Sequence, residues 1–284
     1  MKKVLIFGKD GQLGNDLVKV FKQDYLVASL GRQDLDIANA KLTEEFIIKE
    51  QPYCVLNAAA YNKVEAAETE TEEAFKVNAL AVYNLAKASK KAGAIFFHFS
   101  TDYVFDGLKD SFSETDIPNP LNVYGLSKLA GEQLVKIAAP SFYIVRTCAL
   151  FGAKQGGQKM NFVDSIVAKA KAGEALNVVN NLFTSPTYSL DLAQKTKELL
   201  EAQPAFGIYH LSSSGSCSWY EFALEILKQA GIKARVVPVE ADFSTSFAKR
   251  PKFGILKNSR LIEAGLSPMP DWRDSLKKYL AEKY

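Results

Sequence analysis

Short apolar runs separated by helical patterns fill the first half of the chain and leave few folds open to it. "KVLIF" precedes a helical pattern over Gln12 to Lys22, "YLVASL" one over Lys41 to Glu50, and "YCVLN" one over roughly Thr71 to Ala92. "AIFFHFS" precedes a pattern over Pro120 to Ala138, and "FYIVR" closes the series. Strands alternating with helices pair in parallel through right-handed crossovers, with helices on both faces. Each run is continuously apolar, as strands covered on both sides are. The expected class is α/β: a Rossmann-type doubly wound parallel sheet with a smaller C-terminal α/β substrate lobe.

After Arg146 the pattern loosens. "FGAKQGGQKMN" reads as a loop and "SPTYSLDLAQKTKELLEA" as a helix entered through a Ser-Pro turn. "IYHLSSSGSCSWYEFALEILKQAG" reads as strand, polar turn and helix, and a short helix near "WRDSLKKYLAEKY" ends the chain. The NAD(P)-binding domain is placed at residues 1–150 with the helix near 187–203, and the substrate lobe at 151–186 and 204–284. Phe162 and Trp219 read as core.

Composition narrows the function. A 284-residue chain with 48% hydrophobic and 24% charged residues is that of a soluble globular protein. Lys+Arg 35 against Asp+Glu 32, with both signs interspersed, argues against nucleic acid or membrane as partner. The apolar run of "MKKVLIFG" stops at Gly8, too short for a signal peptide or a span, so a cytoplasmic protein is expected. Cys54, Cys148 and Cys217 are odd in number and widely spaced, matching neither a disulfide framework nor a zinc site. With His98 and His210 the only histidines, no metal is expected. Asp16 reads as a solvated helix-face residue, the alternative being a member of an acidic site at a subunit contact.

"GKDGQLG" puts Gly8, Gly11 and Gly14 directly after the first strand and at the start of the first helix. Glycines there let the backbone turn tightly against a pyrophosphate, whose charge meets free N–H groups at the helix N-terminus. Gln12 and Leu13 belong to the same turn. Where NAD-preferring folds place a carboxylate after the second strand, this chain has Gly31 and Arg32. A guanidinium suits a 2'-phosphate, so NADPH is the expected cofactor, with NADH the alternative. The bland reading pairs Arg32 with Asp34 or Asp36 at the surface. Asp36 and Ile37 are placed at the adenine, and Ala58, Ala59 and Ala60 are small enough for cofactor to lie close.

A tyrosine four residues before a lysine shares its helix face, and an ammonium over a phenol lowers the phenol pKa. The pair occurs three times: Tyr83 and Lys87, Tyr124 and Lys128, Tyr279 and Lys283. Spacing alone therefore decides nothing. Tyr83 lies mid-helix, where packing is expected, and Tyr279 lies in the C-terminal helix. Tyr124 opens the helix after the fourth strand. Ligands of open parallel sheets bind beyond the carboxyl ends of the strands, where "FFHFSTDY" also ends, so Thr101 and Tyr124 converge.

The glycine triplet, a hydroxyl ending the fourth strand and Tyr124-x-x-x-Lys128 together resemble the extended short-chain dehydrogenase/reductases. Within them, "LNAAAYNKVEAAE", "STDYVFDG", "PLNVYGLSKLAGE", "VRT", "SPTYSLDLA", "YHLS" and "KRP" resemble the dTDP-4-dehydrorhamnose reductase family, in matching order from Lys3 to about Trp272. The resemblance implies reduction of a nucleotide-activated 4-keto-6-deoxyhexose, with Tyr124 as proton donor, Lys128 on the nicotinamide ribose and Thr101 on the substrate oxygen. It also implies that Ser100, Tyr124 and Lys128 border the cofactor, and Val64, Glu65, Asp102, Tyr103, Ala149 and Arg250 the sugar nucleotide. A homodimer is the assembly allowed for. In related sugar-nucleotide dehydratases the threonine is followed by Asp-Glu; here Asp102 is followed by Tyr103, which favours plain reduction.

The chain departs from the family on the substrate side. Arg146-Thr147-Cys148-Ala149 replaces Arg-Thr-Ser-Trp, "VEAAE" replaces "VDKAE", and Asn181 to Thr184 replace Asp-Gln-x-Gly. Another 4-keto sugar nucleotide is one alternative substrate. A non-catalytic NADP-binding subunit, resembling the methionine adenosyltransferase beta subunit, is a reading from a different class. Of single residues, His98 reads as a core histidine and Cys148 as a buried, inert thiol. Asp102 either shapes the strand end or meets substrate, and Arg250 either pairs at the surface or meets phosphate or sugar.

Overall fold

The apolar runs become strands that are buried on both faces at the centre of the sheet, while the strand Leu26–Leu30 at its edge is only half-buried, with Leu26 exposed. In the computed structural model, which describes residues 1–153, 160–241 and 247–284, β1 (Lys3–Phe7), β2 (Leu26–Leu30), β3 (Cys54–Asn57), β4 (Ile95–Thr101) and β5 (Phe142–Thr147) form one parallel sheet. A sixth strand, Gly207–His210, pairs in parallel with the far edge of β5. Every residue of β3 and β4 is buried. The strand order is sixth, β5, β4, β3, β1, β2, so the chain leaves β1 in one direction and resumes at β3 on its other side. That reversal opens a crevice beyond the carboxyl ends of β1 and β3, the ligand position of doubly wound sheets.

Eleven helices are described: α1 (Gln12–Phe21), α2 (Ala40–Glu50), α3 (Val64–Ala67), α4 (Thr71–Phe75), α5 (Val82–Lys91), α6 (Val123–Ala138), α7 (Phe162–Lys171), α8 (Ser189–Ala202), α9 (Trp219–Gln229), α10 (Ser259–Glu263) and α11 (Trp272–Lys283). One face of the sheet is sealed by α2, α5 and α6 through Ile47, Leu85 and Val135. The other is sealed by α1 and α8, and its core runs on into α9 and α11 through Leu17, Leu199, Phe222 and Tyr279. Phe162 packs edge-on against Trp219 at 4.7 Å, both on the rim of that core. Smaller sheets flank the main one: Phe183–Thr184 lies between Cys217–Ser218 and Phe253–Gly254, and Val236–Val239 pairs with Leu176–Val179. No described helix is long and apolar enough to cross a membrane.

Several details differ from the sequence reading. The pattern over Thr71 to Ala92 is one column of three parts, with a π-helical stretch, Lys76–Ala81, between α4 and α5. Within it Asn78 is buried and bonds the N–H and C=O of Tyr61, each at 2.9 Å, and the Ser127 hydroxyl at 3.0 Å. A wide turn that spends its polar side chain on a neighbouring loop leaves no mark on hydrophobic periodicity. Before α8, Thr187–Tyr188 forms a short strand with Leu150–Phe151. Residues 154–159 of the expected "FGAKQGGQKMN" loop lie outside the described residues. Asp16 is buried, not solvated; Ser189 donates to it, while burial pushes the carboxyl up.

The three thiols are free and buried in separate places. Cys54 lies in β3, Cys148 just after β5, and Cys217 in a small flanking sheet. Burial raises all three, Cys148 to about 12, and Cys148 donates to the Ser185 carbonyl at 3.2 Å.

Candidate active site

The glycine turn is built by close approach. Gly8 has φ of +87°, and a Cβ on it would stand 2.6 Å from the Ala59 nitrogen. A Cβ on Gly14 would stand 1.9 Å from the Gly8 oxygen, so α1 rests directly on the turn. Gly11 caps α1 with no side-chain bond to the first-turn N–H groups, which leaves them to meet an anion. Gln12 has a buried side-chain oxygen without a partner among the described residues.

Beside this turn lies a cavity of about 590 Å³, within the range of small-molecule sites. Gly8, Gly11, Ala58, Ala59 and Ala60 line it from the ends of β1 and β3. Arg32, Asp36 and Ile37 line it from the β2 side. The cradle that a Cβ would fill, the uncapped N-terminus of α1 and the adjoining cavity together fit a dinucleotide. Arg32 is 73% exposed in its side chain and pairs with Asp36 at 3.4 Å and Glu73 at 3.3 Å, weak contacts that a phosphate can displace. Leu13 and Gly14 are outside the lining, Leu13 in the core and Gly14 in the packing of α1. Tyr61 and Glu73 line the cavity and were missed; Tyr61 is held there by Asn78, a polar residue in an apolar helix that was a usable signal.

The Tyr124 and Thr101 side chains come together at the end of β4. Asn122 accepts from the Gly125 N–H at 2.8 Å and Glu68 from the Val123 N–H at 2.9 Å, so two side chains fix the first turn of α6, where Tyr124 sits. The Tyr124 hydroxyl lies beside that of Thr101. Thr101 also donates to Asp102 at 3.1 Å and accepts from the Tyr103 N–H at 3.2 Å. Burial holds the Tyr124 phenol far above its ordinary value, with the Thr101 contact offsetting only part. The phenol is therefore protonated at neutral pH.

Lys128 corrects an expectation. Its nitrogen does not lie over the Tyr124 ring; it donates to the Phe99 carbonyl at 2.6 Å and stands 3.4 Å from His98 Nε2. A 2% exposed ammonium has to find acceptors in the interior, and the β4 backbone provides one. Burial pushes Lys128 down to about 8, against the opposing charge of Glu132. Nor does this arrangement lower the phenol pKa.

Ser100 also sits differently. Its hydroxyl donates to Glu132 at 2.5 Å rather than opening on the cavity. Arg146 donates to the same carboxylate at 2.9 Å and 2.6 Å, and both partners are almost wholly buried. The sequence reading missed Glu132. It stands four residues after Lys128, the next step along the same inward helix face.

Around Tyr103, residues far apart in sequence meet. Arg250 donates to Glu65 at 2.5 Å, and the Ala248 N–H donates to the same carboxylate at 3.1 Å. Arg250 also faces the Tyr103 hydroxyl, whose pKa burial raises to about 12. Tyr103 in turn packs edge-on against Tyr124 at 5.7 Å. Val64 begins the short helix that carries Glu65. Asp102 is buried against Gly254, where a Cβ would stand 2.2 Å from its carboxylate, and burial pushes its pKa to about 7. Ala149 follows β5 with φ of +43°, a left-handed position that costs a residue with a Cβ about 1 kcal/mol.

Fold and glycine cradle define a Rossmann-type NAD(P)-dependent oxidoreductase. The chain belongs to the RmlD substrate binding domain family, whose model matches residues 1–284. It is 37% identical to a dTDP-4-dehydrorhamnose reductase of Aggregatibacter actinomycetemcomitans over 297 residues, covering 99% of each chain. It is 36% identical to the spore coat polysaccharide biosynthesis protein SpsK of Bacillus subtilis over 285 residues, covering 100% of this chain and 98% of that one. Among solved structures, the dTDP-4-dehydrorhamnose reductase of Bacillus anthracis in complex with NADP aligns with a TM-score of 0.94 at 36% identity, covering 99% of both chains.

Proposed function

We propose that the protein is a cytoplasmic reductase that uses NADPH to convert dTDP-4-dehydro-6-deoxy-L-mannose to dTDP-L-rhamnose. The observation that carries the reading is the neighbouring pair of Thr101 and Tyr124 at the sheet's carboxyl edge, in a chain that aligns end to end with enzymes named for this reaction. Three free, buried thiols suit a reducing compartment. The cofactor half comprises residues 1–150 and the helix near 187–203; the substrate lobe comprises 151–186 and 204–284.

The cradle of Gly8 and Gly11, with the Gln12 side chain, holds the pyrophosphate, and Arg32 exchanges its surface partners for the 2'-phosphate. Asp36 and Ile37 border the adenine, and Ala58 to Ala60 give the dinucleotide room. The nicotinamide, when bound, supplies the hydride. Tyr124, kept protonated by burial, gives its proton to the carbonyl oxygen as negative charge develops there. Thr101, by turning its one O–H away from Asp102, donates to the same oxygen, a bond that strengthens in the transition state. Lys128 holds the nicotinamide ribose. Tyr103, Glu65 and Arg250 face the sugar nucleotide from one cluster, with Val64 and Asp102 beside it. Ala149, in place of the family's indole, favours a second reading in which the chemistry is unchanged and the hexose differs.

The test is spectrophotometric oxidation of NADPH and NADH with enzymatically made dTDP-4-dehydro-6-deoxy-L-mannose. Rapid oxidation, faster with NADPH, is expected, and Arg32→Ala should raise the KM for NADPH about tenfold while leaving that for NADH in place. Folded protein that binds NADPH but oxidises it with no 4-keto sugar nucleotide would overturn the assignment.

A further inference from the structure

We infer that His98, turned by Asn57, is a positioning residue that presents an N–H to the Lys128 nitrogen and so sets how much of that lysine is charged in the free protein. The inference rests on the reading of Lys128 as part of the cofactor and proton-transfer machinery. It follows from counting protons along a buried chain of contacts.

The count starts at a backbone group whose role is fixed. The Ala59 N–H can only donate, and the atom 3.2 Å from it on Asn57 is therefore the amide oxygen. The other end of Asn57, its NH2, then faces His98 Nδ1 at 3.4 Å, so Nδ1 has to accept. A neutral imidazole has one N–H, which this places on Nε2. Nε2 stands 3.4 Å from the Lys128 nitrogen. An ammonium has no lone pair to receive that N–H; a neutral amine does. The amine can still donate to the Phe99 carbonyl. Every donor from Ala59 to Phe99 thus meets an acceptor when Lys128 is neutral, and two donors oppose each other when it is charged. The links through His98 are long, so their orientation rather than their strength carries the effect.

The surroundings agree. His98 is fully buried, and burial first and the Lys128 charge second hold it well below its usual range, so it is neutral at pH 7. The charge nearest Lys128 on its own helix, Glu132, is engaged by Arg146 of β5 and by Ser100 of β4. Just after α3, Glu68 is spent on the α6 N-terminus; from the turn after β4, Asp102 is spent on Thr101. On α4's side Glu70 accepts from the Tyr61 hydroxyl, on α5 Lys87 lies over the Tyr83 ring, and the π-helical stretch presents the uncharged Asn78.

Only two histidines are present, so ring-nitrogen NMR of the full-length protein labelled with 15N-histidine resolves the tautomer directly. The Nε2–H tautomer is expected for His98 without cofactor; the Nδ1–H tautomer would overturn the inference, with no variant needed. Asn57→Asp puts an acceptor opposite Nδ1 and should switch His98 to Nδ1–H; an unmoved tautomer would count against Asn57 as the orienting group. In His98→Phe, the titration midpoint of Lys128, followed by lysine ε-carbon NMR and assigned by its loss in Lys128→Arg, should rise by about one unit, the worth of one hydrogen bond. An unchanged midpoint would sink the claim. None of these signals requires turnover, so they stay separate from the fate of the reductase assignment, which Tyr124→Phe decides.

Discussion

Tyr124 with Lys128 and Tyr279 with Lys283 have the same spacing on a helix, yet their surroundings give them opposite capacities. The Tyr279 hydroxyl is saturated: it donates to Asp164 at 2.7 Å and accepts from Asn161 at 2.9 Å and Lys283 at 3.0 Å. Lys283 lies over its own tyrosine ring and pairs with Asp164, which closes the cluster. The Tyr124 hydroxyl has Thr101 beside it and no such set of bonds, and Lys128 is drawn off to the β4 backbone. The ring contact that the spacing was expected to produce occurs at Tyr83 and Tyr279 and not at Tyr124. A shared helix face permits chemistry; unfilled hydrogen-bonding capacity at a sheet's carboxyl edge makes room for it.

The sharpest way to break this contrast is to remove each hydroxyl in turn. Tyr124→Phe should lower kcat by about a thousandfold, with the Kd for NADPH within threefold of the parent, measured by stopped-flow assay and fluorescence titration. Tyr279→Phe should leave kcat within twofold. If both variants lose turnover equally, partner saturation does not separate the two tyrosines.

Next in size is the buried pair beneath Lys128. Glu132→Ala leaves Arg146 charged and unpartnered in the interior and should cost about 3–5 kcal/mol, read from the denaturant midpoint. Asp164→Ala removes a carboxylate whose lysine partner reaches solvent and should cost less. Equal losses would mean that burial is not what distinguishes the two clusters.

Asp102 adds a pH signature beside Thr101. Burial raises its folded pKa to about 7 from an ordinary 3.8, so the native state binds the proton more tightly than the unfolded chain. Its contribution to stability is fully present below about pH 4 and is lost as pH rises through 7. Asp102→Asn should flatten the melting temperature across that window and raise stability at pH 8 by roughly 2–4 kcal/mol. An unchanged pH dependence would show that the carboxyl titrates normally. Last comes Tyr279→Phe, which removes the hydroxyl's bonds to Asp164, Asn161 and Lys283 together and should cost about 1–3 kcal/mol.

These contrasts mark where the sequence was readable. The sheet, the glycine turn and the meeting of Thr101 with Tyr124 follow from local pattern: apolar runs, a strand-to-helix glycine and a position after the fourth strand. Contacts between distant segments do not. Glu65 and Arg250 are 185 residues apart, and Ser100 and Glu132 belong to different elements. Asp16 looked solvated because helix α1 was read alone, whereas α8 brings Ser189 onto it. Lys128 was misplaced for the same reason: its best acceptor is a carbonyl of β4, and a backbone atom leaves no trace in residue type.

The three buried thiols make the molecule its own clock for opening. Each is unreactive while its layer stays closed, and each reports a different layer: the central sheet, the end of β5 and a flanking sheet. Rates of labelling by a thiol reagent in the native protein, resolved by peptide mass, would therefore rank the lifetimes of these layers without any introduced probe.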